Sequence, residues 1–311
     1  MGSAIQATAL LARDRSLDLG GAPLLMGVLN ATSDSFSDAG RYRTLGQRID
    51  RALQLLREGA DIIDVGGESA VTGRPALAAA EEIERVVPLV EGLLARAPAV
   101  VSVDTYKPEV AAAALTAGAA IVNDTSGLRD PALARACAAH DAALVVMHTR
   151  AAPKRRLQDP GLYEDVVADV LAFLRERTAA AEREGVRHES LIVDPGPDFA
   201  KTPAQTITVL RSLPALARLG YPLLLAISRK DFIGALVRRA PRARLAGTLA
   251  ALDHGLRCGV RLFRVHDVAQ ARAFMAARHG PGPAPGAPPE PRRGGCNRAG
   301  DQVDRPSRLL H

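Results

Sequence analysis

Polar side chains in this sequence follow short apolar stretches at regular intervals along the chain. Asp104, Asn123, Asp194 and Lys230 each stand at or just after the end of such a stretch. Carboxylates and a carboxamide can pair with the N–H and NH₂ groups of a flat heterocycle, and a lysine adds a further donor. Because polar groups are costly to bury without partners, four of them at four strand ends favour a binding site. The sequence therefore predicts a pocket for a nitrogen-rich ring.

A second set of polar residues has the chemistry of an anion site. Asn30, Arg264 and His266 also close apolar stretches, and together they could hold an anion, with or without a metal ion. His148 either supports the site from behind or fills the space beside it. A single Asp after a strand is more often a helix cap than a catalyst. That interpretation is preferred for Asp124, Asp130 and Asp267.

The apolar stretches themselves predict the fold. They are nearly continuous, as expected for parallel strands buried on both faces, and helical patterns separate them. The predicted strands are 24–29, 61–65, 99–103, 120–122, 143–147, 191–193, 223–227 and 261–263. Eight strands alternating with helices predict an α/β fold, a single-domain (β/α)₈ TIM barrel, with a doubly wound open sheet as the alternative. In a barrel all eight strand ends meet at one rim, where such enzymes keep their active sites.

Local signals mark individual helix boundaries. Thr44 with Gln47 three residues later is a capping-box pattern, and Gly59 is a typical helix end. Pro131 after Asp130 predicts the first turn of another helix. These signals place helices between predicted strands, as the barrel requires.

The composition divides the chain into three parts. Residues 1–20 are predicted to form a leader strand or hairpin, and residues 21–280 the barrel. Residues 281–311 are rich in Pro, Gly and Arg and lack periodicity, so they are predicted to be a disordered tail.

Charge and cysteine content limit the class of function. The net charge is +6, but acidic and basic residues are mixed and aromatics are only 3%, so no nucleic-acid partner is expected. The three cysteines, Cys137, Cys258 and Cys296, have no zinc-binding or disulfide spacing. With neither a signal-peptide pattern nor a membrane-length apolar run, we expect no membrane partner and a cytoplasmic location.

The order of these motifs resembles the dihydropteroate synthase family over residues 24–275. The most specific segment runs from Met26 to Asp38, and shorter matches follow at the other strand ends. They include 59–69, Ser102 to Thr105, Val122 to Asp124, Asp194 to Gly196 with Phe199 and Lys201, Ser228 to Lys230, and Arg264 to Val268. Each match is weak alone, but their order and strand-end placement make the set specific.

The resemblance implies a folate-pathway transferase. Such an enzyme joins 6-hydroxymethyl-7,8-dihydropterin diphosphate to p-aminobenzoate, giving dihydropteroate and diphosphate. It implies a pterin pocket of Asp104, Asn123, Asp194 and Lys230, with Phe199, Ser228 and Ser69 towards p-aminobenzoate. It further implies Mg²⁺ as cofactor with Asn30 as its ligand, and Asn30, Arg264 and His266 around diphosphate. Asp104, Asp38 and Lys230 become the catalytic residues, and a homodimer is expected.

Several residues depart from the family pattern. Where the family has Thr-Arg after Gly-Glu-Ser, this chain has Ala70 and Val71, with Thr72 and Arg74 nearby as replacements. Asp198 stands where glycine is common, Ser33 where proline is common, and residues 147–154 are unusually basic. A pterin-binding paralogue without turnover, or one using another amine, therefore stays open as the alternative. The methyltetrahydrofolate-binding barrel of corrinoid methyltransferases is less favoured, because the loop from Asp34 to Asp38 argues against it.

Overall fold

Eight parallel strands form a barrel in the computed structural model, which describes residues 8–31, 44–69, 72–73 and 75–278. The barrel strands are β3 (Leu24–Asn30), β4 (Ile62–Gly66), β5 (Val100–Asp104), β6 (Ile121–Asp124), β7 (Ala143–Met147), β8 (Leu191–Asp194), β9 (Leu224–Ala226) and β10 (Leu262–Val265). Their order is β8-β7-β6-β5-β4-β3-β10-β9, and a bridge between Val193 and Leu223 joins β8 to the chain entering β9. The predicted TIM barrel is confirmed, and the open-sheet alternative is wrong because the first and last strands of that order meet.

Helices alternate with the strands and cover the outside of the barrel. They are α1 (Leu45–Arg57), α2 (Ala79–Leu94), α3 (Pro108–Thr116), α4 (Ala132–Ala139), α5 (Val166–Arg183), α6 (Pro203–Arg211), α7 (Leu213–Ala217), α8 (Asp231–Val237), α9 (Leu245–Arg257) and α10 (Val268–Arg278). The capping box of Thr44 and Gln47 is present at the start of α1. Gly59 after that helix has φ +99°, a left-handed conformation in which glycine carries no steric penalty.

Side chains along each barrel strand alternate between two environments. Outward residues such as Val65 and Val103 pack against the helices in the larger apolar cluster. Inward residues in the lower half, such as Met26, Ile62 and Val100, form a second apolar cluster inside the barrel. The inward positions above them carry the polar residues, so this alternation directs the site chemistry into the barrel mouth.

An antiparallel hairpin closes the lower end of the barrel. Its strands are β1 (Ala9–Ala12) and β2 (Arg15–Asp18), and Leu10 is fully buried in the inner apolar cluster. The Nη1 of Arg13 donates to the carbonyl oxygens of Leu115 and Ala119, at 2.5 and 3.1 Å. The hairpin thus completes the core below the barrel strands.

Other expectations concern parts of the chain beyond the barrel. The predicted tail, 281–311, lies outside the described residues, and the three-part division of the chain stays a prediction. Within the described ranges, none of the helices combines the length and apolar character needed to span a membrane.

Candidate functional site at the barrel mouth

Four neighbouring strands align their ends in one row across the barrel mouth. Asn30 pairs in register with Gly66, Gly66 with Asp104, and Asp104 with Asn123. A Cβ at Gly66 would lie 3.7 Å from Asn30 Oδ1 and 3.8 Å from the Cβ of Asp104. The missing side chain at Gly66 therefore leaves a gap between the amide of Asn30 and the carboxylate of Asp104.

Arg264 lies between two carboxylates inside this mouth. Its Nε donates to Asp64 Oδ2 at 2.6 Å, and its Nη2 donates to Asp104 Oδ2 at 2.7 Å. Asn123 Nδ2 also donates to Asp64 Oδ2, at 3.2 Å. Asp64 is fully buried and was missed in the sequence, although an Asp inside an apolar strand was a usable signal. Arg264 was predicted to hold diphosphate, but its guanidinium is already bound by these two acids.

The balance of charge perturbs both partners. Burial raises the pKa of Asp104 to about 7, although Arg264 opposes that rise. Burial lowers the pKa of Arg264, but Asp64 and Asp104 outweigh it and leave that pKa above its usual value. Two carboxylates share one guanidinium. A ligand that brings hydrogen-bond donors or positive charge to the mouth would therefore bind favourably.

Asp194 and Lys230 form the second wall of the mouth. Asp194 Oδ1 accepts from the backbone N–H of Gly196 at 2.7 Å. Lys230 Nζ donates to the carbonyl oxygen of Pro197 at 2.7 Å and lies 4.4 Å from the ring centroid of Phe199. Burial raises the pKa of Asp194 and lowers that of Lys230, and each charge opposes the shift of the other. The loop after β8 therefore holds Asp194, Phe199 and the partner of Lys230 together.

Ser228 and His266 contact each other at the ends of β9 and β10. The Ser228 hydroxyl oxygen accepts from the backbone N–H of His266 at 3.2 Å. The same oxygen lies 3.0 Å from the imidazole Nδ1 of His266. Burial, followed by the charge of Arg264, lowers the pKa of His266 to about 3. The imidazole is therefore neutral at pH 7, and it can offer a hydrogen bond to an anion but not a charge.

His148 and Lys201 lie behind the mouth rather than in it. Both are fully buried, and Lys201 Nζ lies 2.7 Å from His148 Nδ1. The same ammonium donates to the carbonyl oxygens of Gly196 and Phe199, at 3.0 and 3.1 Å. His148 Nε2 lies 2.9 Å from Asp169 Oδ1. His148 thus supports the site from behind, and Lys201, matched in the sequence without a role, ties the β8 loop to β7.

The loop after β4 is held by charged residues of two neighbouring loops. Lys107 Nζ lies 3.0 Å from Glu68 Oε2 and 2.5 Å from Glu82 Oε2. Lys154 lies in the basic segment after β7, and its Nζ donates to the carbonyl oxygen of Ser69 at 2.5 Å. The backbone carbonyl oxygen of Lys154 accepts from the N–H of Gly73 at 3.1 Å. The backbone of Ser69 is therefore fixed at the rim.

The remaining predicted residues either fall outside the described ranges or were expected to cap helices. Asp38, Ala70, Val71 and Arg74 fall outside the described residues, so replacement of the family's arginine by Arg74 stays a prediction. Asp267, expected to cap a helix, instead forms an ion pair with Arg229, whose Nε lies 3.0 Å from Asp267 Oδ2. Asp130 does accept from the N–H of Ala132, at 2.9 Å, at the start of α4.

Comparison with known proteins identifies relatives over nearly the whole barrel. The family model described as "Pterin binding enzyme" matches residues 26–266. Dihydropteroate synthase from Bacillus subtilis is 42% identical over 248 residues, covering 79% of this chain and 84% of the relative. The enzyme of the same name from Synechocystis sp. is 40% identical, covering 81% and 87%.

Solved structures agree with the sequence relatives. Dihydropteroate synthase of Xanthomonas albilineans with 4-aminobenzoic acid has a TM-score of 0.80 at 40% identity, covering 88% of this chain and 98% of that one. The Yersinia pestis enzyme with a sulfonamide drug complex has a TM-score of 0.82 at 35% identity, covering 87% and 97%. The Xanthomonas albilineans enzyme with 7,8-dihydropteroate has a TM-score of 0.76 at 40% identity, covering 86% and 97%.

Proposed function

We propose, since this chain belongs to the pterin-binding enzymes and within them to the dihydropteroate synthases, that its barrel mouth joins a dihydropterin diphosphate to p-aminobenzoate. The observation that carries this proposal is the in-register pair of Asp104 and Asn123 at the barrel mouth, where Lys230 interacts with the charges of both Asp194 and Asp104. Relatives have been solved with 4-aminobenzoic acid and with 7,8-dihydropteroate, which are the second substrate and the product of this reaction.

The pterin ring is proposed to bind by its polar edge. Asp64 accepts from the Nδ2 of Asn123, which directs the Oδ1 of that amide towards a ring N–H. Asp104 and Asp194 accept from the remaining N–H and NH₂ groups, and Lys230 donates to the ring carbonyl. Burial raises the pKa values of Asp104 and Asp194 in the free protein. Hydrogen bonds from the pterin donors would offset the cost of burying these two charges.

Asp104 is also proposed to stabilise the transition state. The C–O bond to diphosphate breaks, the amine nitrogen forms a bond to the methylene carbon, and the amine then loses a proton. Positive charge develops on the methylene and the ring as the anion departs, and a buried carboxylate stabilises such charge. The neutral aromatic amine is already nucleophilic, so no strong base is required. Phe199, Ser228 and Ser69 are proposed to line the p-aminobenzoate side.

The leaving diphosphate is proposed to lie over Asn30 and His266. His266 would donate a hydrogen bond as a neutral imidazole. Since Arg264 balances Asp64 and Asp104, it has less charge to offer diphosphate than the sequence alone indicated. Asp38 is proposed to help close the site over both substrates.

Magnesium fits this arrangement as an ion that arrives with the substrate. Among the described residues, no three His, Cys, Asp or Glu side chains form a metal cluster. Mg²⁺ commonly keeps several waters and binds through substrate phosphates with one or two protein oxygens. Asn30, whose Oδ1 lies beside the gap at Gly66, is proposed as a ligand, and the ion would neutralise diphosphate charge there. The cytoplasmic location expected from the sequence and the homodimer implied by the family resemblance stay predictions.

Product analysis tests the proposed function. The purified protein is incubated with 6-hydroxymethyl-7,8-dihydropterin diphosphate, p-aminobenzoate and MgCl₂, and dihydropteroate and diphosphate are quantified. Equal amounts of both products are expected. Pterin binding without dihydropteroate at saturating p-aminobenzoate would instead support the non-synthase paralogue, and a different condensed product would show another amine.

A further inference from the structure

The loop after β8 contains an unusual concentration of left-handed backbone. Gly196, Asp198 and Ala200 have φ values of +63°, +63° and +51°. Gly196 has to be glycine, because a Cβ there would lie 2.0 Å from the carbonyl oxygen of His148. Asp198 and Ala200 carry side chains in a conformation that L-residues disfavour. Such strain persists only where the surrounding structure enforces it, and it is common at functional sites.

The carboxylate of Asp198 explains why a side chain is kept at its position. Oδ2 accepts from the backbone N–H of Asp231 at 2.5 Å, and both oxygens lie 3.2–3.3 Å from the N–H of Phe232. Thr206 holds the residue from the other side, donating to Oδ1 at 3.3 Å and accepting from the Asp198 N–H at 3.1 Å. Asp198 therefore caps the first turn of α8 from a different loop.

That helix begins directly after Lys230, and Lys230 makes the reciprocal contact. As the residue preceding α8, Lys230 provides no side-chain cap of its own. Its ammonium instead reaches back to the carbonyl oxygen of Pro197 and lies over the ring of Phe199. Residues 197, 198 and 199 thus each contact a group in the short segment 230–232, and the contacts run in both directions.

We propose that Asp198 is a positioning residue for substrate binding, which fixes Lys230 and Phe199 by joining the β8 loop to the start of α8. This inference rests on the proposed pterin-binding role of Lys230. Glycine would adopt the same backbone without strain, but it would leave the N–H groups of Asp231 and Phe232 without this acceptor. The cap and the strain are of similar size and opposite sign, so stability alone does not account for the aspartate.

The contact of the Asp198 carboxylate with the N–H groups of Asp231 and Phe232 is called the clamp below. Asp198→Gly removes the clamp and the backbone strain together, so their effects on stability offset each other. The variant is expected to melt close to the parent temperature, while the dissociation constant for the dihydropterin rises by about tenfold or more because the Lys230 donor is misplaced. Asp198→Asn tolerates the left-handed backbone and keeps one acceptor oxygen, so it is expected to restore most of the affinity. Asp165→Gly is the matched control. Asp165 caps α5 through the N–H groups of Val167 and Ala168, so its loss lowers stability without changing pterin affinity.

A pH profile gives a readout that a purely structural role would not move. The charged groups that face Lys230 include Asp194, Asp198, Arg264 and Asp104, and the buried Lys201 also interacts with it. Burial lowers the pKa of Lys230, and Asp198 is among the carboxylates that oppose the lowering. Asp198→Gly is therefore expected to move the alkaline loss of pterin affinity to lower pH, whereas Asp165→Gly leaves it in place.

Hydrogen exchange of the Asp231 and Phe232 amides tests the clamp independently of whether the protein forms dihydropteroate. Faster exchange at both amides and weaker pterin binding in Asp198→Gly support the clamp, even if the parent forms no dihydropteroate. A parent that forms dihydropteroate beside an Asp198→Gly variant with unchanged pterin affinity overturns the clamp and leaves the proposed function standing. Unchanged exchange at both amides also overturns it.

Discussion

The lower and upper halves of this barrel are built from the same strands with opposite kinds of side chain. In the lower half, Met26, Ile62 and Val100 pack with Leu10 of the hairpin in a fully apolar cluster. Two residues further along β4, Asp64 is equally buried but binds Arg264. The apolar core residues and the polar site residues are thus only one inward position apart along a strand. Because side chains alternate between the two faces, successive inward residues are about 7 Å apart.

The comparison also shows that the mouth has a structural layer of its own. Lys201 is as buried as any leucine of the lower half, yet its side-chain nitrogen donates to backbone carbonyl oxygens. The mouth therefore combines groups that face a ligand with groups that hold the loops carrying them. Substitutions should separate these classes.

Lys201→Met is expected to have the largest effect on stability. It removes a buried donor and leaves the carbonyl oxygens of Gly196 and Phe199 unpaired, which should destabilise the fold by about 3–5 kcal/mol. Urea unfolding at fixed pH measures the change. A loss below about 1 kcal/mol would show that Lys201 is not the tie between the β8 loop and β7.

The pH dependence of the same variant provides the control. Burial lowers the pKa of Lys201 to about 7, although Asp194 opposes that shift. Between about pH 7 and pH 10 the unfolded chain binds a proton that the folded chain does not, so parent stability rises with pH in this window. The free energy difference between parent and Lys201→Met should grow across the same window. A constant difference contradicts the lowered pKa.

Leu10→Ala tests the apolar half. Leu10 is fully buried beneath the barrel, so removing its isobutyl group should cost about 3 kcal/mol of unfolding free energy. The kcat/KM measured well below the melting temperature should stay at the parent value. A large fall in kcat/KM with intact folding would show that the two halves are not separable.

Asp104→Asn tests the polar half with the opposite result. Turnover should fall by at least ~10²-fold, because the variant loses a charge that stabilises the transition state. Stability should stay level or rise, since burial raises the pKa of Asp104 to about 7 and the folded state therefore disfavours its charge. A steady-state assay with thermal melts measures both, and near-normal turnover would remove Asp104 from its proposed role.

Lys154→Met is expected to give the smallest effect. It frees the Ser69 carbonyl oxygen and loosens the loop after β4, so KM for p-aminobenzoate should rise by about threefold with little change in kcat. Arg155→Met, at the exposed neighbouring position, is the matched control and should behave as the parent. Equal KM values in all three proteins would leave the Lys154 contact without a role in binding.

Much of this architecture follows from local sequence signals. Apolar strands with polar ends predicted all eight barrel strands within two residues, because buried parallel strands must be apolar and their carboxyl ends must meet. The capping box at Thr44 and the glycine at 59 are similarly local. Those features depend only on neighbours in the chain.

The remaining features depend on contacts between distant residues. Asp64 and Arg264 are 200 positions apart, so their pairing, and hence the reduced charge available for an anion, is invisible in either motif. Lys201 and His148 are separated by 53 positions. Asp198 resembled a simple departure from glycine, and only the fold brings it to the start of α8. Such pairings need the closed barrel before they can be stated.

Equilibrium binding of 6-hydroxymethyl-7,8-dihydropterin tests most directly whether the mouth is a pterin site. Calorimetric titration of the parent, Asp194→Asn and Leu10→Ala separates the two halves of the barrel in one comparison. One site per chain is predicted, with affinity at least about tenfold weaker in Asp194→Asn and unchanged in Leu10→Ala. Equal affinity in Asp194→Asn and the parent, or no binding to the parent, would show that the barrel mouth is not the pterin site.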